Sequence, residues 1–170
     1  MSKEEIAWSD LAARVVRVVL ARKNVGYSQL AERLSAFGVT EGEKALASRV
    51  SLGRVRLSLL LQILQVTDSN VPALWKPALS LSGTWEQRAS AVVLSEIELI
   101  PPMDIEELVQ RLVLLGAGFT PKTLAAQISS GTLSLPVFLR CLVTLRSTSL
   151  DFCIDYKDLV TAARSVTKAE

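Results

Sequence analysis

The chain has 170 residues, 49% of them hydrophobic but only 5% aromatic, with a formal net charge of +2. It contains no histidine and two cysteines, Cys141 and Cys153, without metal-ligand spacing, which argues against zinc and against histidine-based acid–base chemistry. The length suits one large or two small domains, and abundant leucine and alanine favour helix.

Residues 6–23 carry apolar residues at three-and-four spacing (Ile6, Leu11, Val15, Val18, Val19), with Trp8 extending the face, and predict a first helix. Asn24-Val25-Gly26 is a turn. A second helix is expected from Tyr27 to about Phe37, burying Leu30, Ala31, Leu34 and Phe37, with Gly38 as a left-handed cap. Thr40 with Glu43 fits a capping box for a third helix, about Glu41 to Val50, with Ala45, Leu46 and Val50 inward. Gly53 ends that segment, and a fourth helix spans Leu57 to Val66. Val71 to Pro77 predicts a short turn that packs Leu74 and Trp75 back on the domain.

The pattern then returns, 78 residues later. Leu30, Arg33, Leu34 and Gly38 fall on Leu108, Arg111, Leu112 and Gly116. Ser51 and Gly53 fall on Ser129 and Gly131, and Leu57, Leu61 and Leu64 on Leu135, Leu139 and Leu142. This predicts an all-α protein of two tandem four- to five-helix copies, 1–79 and 80–170, with a short linker at Ser80 to Gly83. Thr84 with Gln87 caps the first helix of the second copy, in which Trp85 takes the place of Trp8, one residue off the later register. Pro101-Pro102 stops that helix. Asp104 with Glu107, Thr120-Pro121 and Ser134 start the next three, and a last helix is expected from about Asp155 to Val166. Asp104, Glu106 and Glu107 read as dipole-complementing caps rather than catalytic carboxylates. Thr167 to Glu170 is expected to fray.

Charge divides unevenly. Residues 1–76 hold eleven Lys/Arg and seven Asp/Glu, a net +4, while residues 77–170 hold eight and ten, a net −2. No nucleophile motif, phosphate loop or paired catalytic carboxylates appear, so the expectation is a non-enzymatic protein with no metal or small cofactor. The polar start MSKEEIAWSD lacks a signal-peptide core, and no apolar run reaches the ~20 residues of a membrane span, so a cytoplasmic protein is expected.

Leu30-Ala31-Glu32-Arg33-Leu34, Gly38-Val39, Arg49, Gly53 and the apolar fourth helix resemble the lambda-repressor-like (XRE/Cro-type) helix-turn-helix family. Trp8, Leu30, Ala31, Leu34, Gly38 and Gly53 more closely resemble a little-studied bacterial domain family of unknown function, over about residues 8–66 and more faintly 85–144. The helix-turn-helix resemblance implies two helix-turn-helix-like domains and a bacterial or phage-type regulator that binds double-stranded DNA. It makes the third helix a reading helix in the major groove, with Glu43, Lys44, Ser48 and Arg49 outward. Arg49 would pair with guanine, and Lys23, Arg54, Arg56, Ser28 and Gln29 would meet phosphates. Ser35-Ala36-Phe37 lengthens the turn relative to that family, Tyr27 replaces its usual glutamine, and Glu41 and Glu43 add negative charge.

The second copy keeps Lys122 for Lys44 but has Gln127, Thr132 and Ser134 for Arg49, Arg54 and Arg56. Core positions persist where basic ones do not, as expected of a copy that has moved to dimerisation or partner contact. Leu59, Leu60, Val137 and Phe138 exceed what one four-helix unit can bury. They predict an interface, either between the copies or in a homodimer. The alternative function is a protein–protein adaptor or inhibitor that reuses the fold.

Overall fold

The computed structural model describes residues 2–167, with side chains through 165. The expected fraying of the extreme C-terminus lies outside the described residues for 168–170. Ten α-helices follow in order: α1 Lys3–Lys23, α2 Tyr27–Ser35, α3 Glu43–Ser51, α4 Leu57–Val66, α5 Lys76–Leu79, α6 Trp85–Glu98, α7 Ile105–Leu114, α8 Pro121–Ser130, α9 Leu135–Thr144 and α10 Tyr156–Thr167. A 3-10 turn, Ala73–Trp75, leads into α5. The chain is all-helical in two tandem copies, α1–α5 and α6–α10, with no strand among the described residues.

Local chemistry explains most boundaries. Ser2 caps α1, its hydroxyl accepting from Glu5 N while the Glu5 side chain answers the Ser2 N–H, a reciprocal box that satisfies two orphan donors. Thr84 and Gln87 do the same for α6. The side chains of Asp104, Thr120 and Ser134 accept from the third helical residue of α7, α8 and α9.

Three sequence expectations need correction. Thr40 does not cap α3: Gly42 holds the cap position without a side-chain bond, and the helix starts at Glu43. Phe37 is not in the core. α2 ends at Ser35, two residues early, which leaves Phe37 40% exposed on the turn. Ala45 faces out rather than in, because α3 meets the core on the face of Leu46 and Val50, and Ala45 lies off it.

The two copies interlock. α1 packs on α3 and α4 of its own copy, and also on α9 and α10 of the other. α6 repeats this in reverse, packing on α8 of its own copy and on α4 and α5 of the first. Each copy therefore lends its first helix to its neighbour's fourth. At the centre, Leu57 N donates to Leu133 O at 3.0 Å and Leu135 N donates to Val55 O at 2.7 Å. These pairs are equivalent positions, and the antiparallel bridge between Arg56 and Ser134 marks a pseudo-twofold axis.

The exchange settles what covers the surplus apolar residues. Leu59, Leu60, Val137 and Phe138 are all buried within the chain, so they are not an open face for a second chain. Trp8 is fully buried, and the Arg140 guanidinium of the other copy lies 5.0 Å from its ring centroid. Trp75 packs edge-on against Phe138 across the copies, and its indole N–H donates to buried Glu96 at 2.8 Å.

The glycine kept at one place in each copy has a steric reason. A Cβ on Gly53 would stand 2.4 Å from Ser9 O, and one on Gly131 would stand 1.7 Å from Glu86 O. Both also have positive φ, +66° and +73°, which disfavours any side chain. The close approach seats the end of α3 on α1, and the end of α8 on α6.

The interlock predicts that the linker is dispensable once the chain has folded. A protease site placed within residues 80–83 and cut in the folded protein should leave both halves eluting together at the size of the intact chain. Halves that separate on size-exclusion chromatography would contradict the exchange.

Candidate functional site

A groove of about 910 Å³ runs along the first copy. Its walls are the α2–α3 turn (Gly38 to Glu41), the outer face of α3 (Ala45, Ser48, Arg49, Leu52) and the start of α4 with its preceding residues (Arg54, Arg56, Ser58, Gln62). Glu86 reaches it from α6 of the second copy. The local sequence makes this shape. The early end of α2 and the long turn hold α3 off α4, and Gly53 lets the chain double back so that Arg54 and Arg56 flank the opening.

The groove brings together Ser48, Arg49, Arg54 and Arg56 of the residues expected to contact DNA. Glu43 and Lys44 are exposed on the first turn of α3 but do not line it. Ser28, Gln29 and Lys23 lie elsewhere. Gln29 is a helix cap, its side-chain oxygen accepting from Gly26 N at 3.2 Å. Lys23 hooks the end of α1 to the segment after α4, donating to Asp68 O at 2.8 Å. Both side chains thus have partners within the fold.

Charge inside the groove is arranged in two tiers. Arg49 is half-buried and pairs with Glu41 at 2.6 Å within the groove. Arg54 and Arg56 are exposed, and neither side chain has a hydrogen-bond or ion-pair partner among the described residues. A solvent-accessible ion pair such as the half-buried Glu41–Arg49 contributes only about 0–1 kcal/mol, so an incoming anion can compete with Glu41 for the guanidinium.

An aromatic shelf flanks the groove. Phe37 and Trp85 meet edge-to-face with centroids 5.4 Å apart, and the Arg88 guanidinium lies 4.4 Å from the Trp85 ring centroid. The same Arg88 donates through Nε to Leu81 O at 2.9 Å, which ties the linker to α6.

Glu86 and Gln62 were not legible as groove residues. Glu86 arrives from the other copy and Gln62 sits mid-helix, so no local pattern marks either. Nor are the thiols candidates for chemistry. Burial pushes Cys141 and Cys153 up to about 12, leaving both protonated at neutral pH.

A family model described as a domain of unknown function (DUF6471) matches residues 8–71 and again residues 85–150. No curated protein matches the chain. No solved structure matches it either. The described residues include no helix long and apolar enough to cross a membrane.

The Glu41–Arg49 pair makes a prediction. Glu41→Gln removes the competing acid while leaving the groove lined by the same positions. The variant should elute from a heparin column at higher salt than the parent. Elution at the same salt would mean that Arg49 does not face the anion.

Proposed function

We propose, for a chain that belongs to the DUF6471 family and carries its domain twice, that it is a non-enzymatic, DNA-binding regulator of bacterial or phage type whose first copy holds the duplex. One observation carries the reading: the Arg54 and Arg56 side chains stand exposed, without a partner among the described residues, in a groove walled by α3. Two guanidinium groups lining one groove can each neutralise a phosphate of a nucleic-acid backbone. Arginine suits this task because its planar fork meets phosphate or guanine through two donors at once.

In this reading α3 enters the major groove with Lys44, Ser48 and Arg49 toward base edges, while Arg54 and Arg56 grip the backbone. The exposed first turn of α3 supports it, since Glu43, Lys44 and Ala45 are all uncovered. The second copy supplies the partner that a single small domain lacks, and the pairing expected of a homodimer is met within one chain. A cytoplasmic setting belongs to the same proposal.

A second reading draws on Glu41 and Glu86, two carboxylates in the same groove. They suit an adaptor or inhibitor that binds a protein segment of mixed charge. Salt separates the two readings, because counterion release is specific to a polyanion.

Fluorescence anisotropy of the full chain on duplex DNA, across a salt series, tests the proposal. Arg54→Ala with Arg56→Ala should weaken binding to every sequence and flatten the log–log salt slope by roughly 0.9 per arginine. Arg49→Ala should weaken a preferred site more than random duplex, by about 1–3 kcal/mol of discrimination. Equal binding by the parent and the triple alanine variant would sink the proposal.

A further inference from the structure

The repeat provides its own comparison, because each groove position has a counterpart in the other copy. The counterpart of Gln62 is Arg140, which is only 3% exposed. Its Nε donates to Leu115 O at 3.1 Å and its Nη2 to Gly116 O at 3.2 Å. Beneath it lies the Trp8 ring. Arg140 thus bolts α9 to the α7–α8 turn. Gln62 makes no such bond, and Gly38, the counterpart of Gly116, lines the open groove instead.

The charges differ in the same direction. Arg49, Arg54 and Arg56 are replaced by Gln127, Thr132 and Ser134, and Glu41 by the exposed Phe119. The Thr132 hydroxyl is engaged with Ser130 at 2.8 Å. Arg140, the one arginine near this face, is turned inward, and burial lowers it to about 10.

The pseudo-twofold relation at Arg56 and Ser134 makes α8 of the second copy the counterpart of α3 in the first. Symmetric helix-turn-helix dimers meet two half-sites about one helical turn apart, and their targets are palindromic. Here only α3 is accompanied by phosphate-gripping arginines. We infer that the target is a duplex carrying a single, non-repeated half-site, bound by one chain, with the second copy held off the backbone. This rests on the DNA-binding reading of the first-copy groove. The second copy's role is to complete the fold through Trp8 and Arg140 rather than to read sequence.

The test is selection of the full-length protein on a random duplex library at low salt, with the mass of the selected complex measured by sedimentation velocity. The expected result is one contiguous motif without internal repeat, bound by one chain. An inverted repeat with half-sites about one turn apart, bound by one chain or by two, overturns the inference and leaves DNA binding intact. No enrichment of any sequence and no retained duplex overturns both. A gain-of-charge variant provides a second readout. Thr132→Arg with Ser134→Arg should steepen the salt slope by roughly 1.8, for two added phosphate contacts. An unchanged slope would mean that lost charge is not what keeps the second copy off the duplex, and contradicts the inference.

Discussion

Two backbone hydrogen bonds, Leu57 to Leu133 and Leu135 to Val55, sit where the two copies meet, and the architecture follows from the exchange built around them. A helical unit of about 70 residues has little core of its own. Its fourth helix is apolar nearly all round, and one copy cannot cover Leu59 and Leu60 or Val137 and Phe138. The other copy packs its first helix on the fourth, and Trp75 of the first copy adds cover to Phe138. Because each first helix is also anchored to its own third helix through a glycine contact, neither copy is complete without its neighbour. The result is one interlocked body rather than two beads on a linker.

That constraint also shapes the candidate site. The exchange delivers Trp8 to the second copy and Trp85 to the first, at equivalent places. What happens next differs. In the second copy Arg140 closes over Trp8 and ties the turn down. In the first, Gln62 is too short for that bond, Trp85 leans on Phe37, and a groove stays open beside it. A single change of residue type in the fourth helix thus accompanies an open face in one copy and a bolted one in the other. The arginines have been kept on the open side alone.

Much of this was legible in the sequence because it is local. The repeat spacing, the capping residues Thr84, Asp104, Thr120 and Ser134, and the bounds of α4 all depend on residues close together in the chain. The need for an apolar cover over the fourth helices was also legible, as surplus leucine. What covers them was not, since the exchange pairs residues about 80 positions apart. Phe37 and Ala45 were misplaced for a related reason. α2 stops two residues early, which leaves Phe37 on the turn, and α3 starts two residues late behind Gly42, a cap that offers no side-chain signal. Of the candidate site, the arginine cluster could be read from its spacing around Gly53. The roles of Glu41, Gln62 and Glu86 could not, because the ion pair and the groove walls exist only once the helices are packed. Lys23 and Gln29 carry chemistry suited to phosphate, and their places as a hook and a cap in the fold were not legible.

The central claim is that the first-copy groove, and not its counterpart, receives the ligand. Backbone amide shifts of the isotopically labelled full chain, titrated with a short duplex, test this most directly. The account predicts perturbations concentrated at Ser48, Arg49 and the segment from Gly53 to Ser58, with Gln127, Thr132 and Ser134 unmoved. Equal shifts in the two copies, or shifts confined to surfaces away from α3, would contradict it.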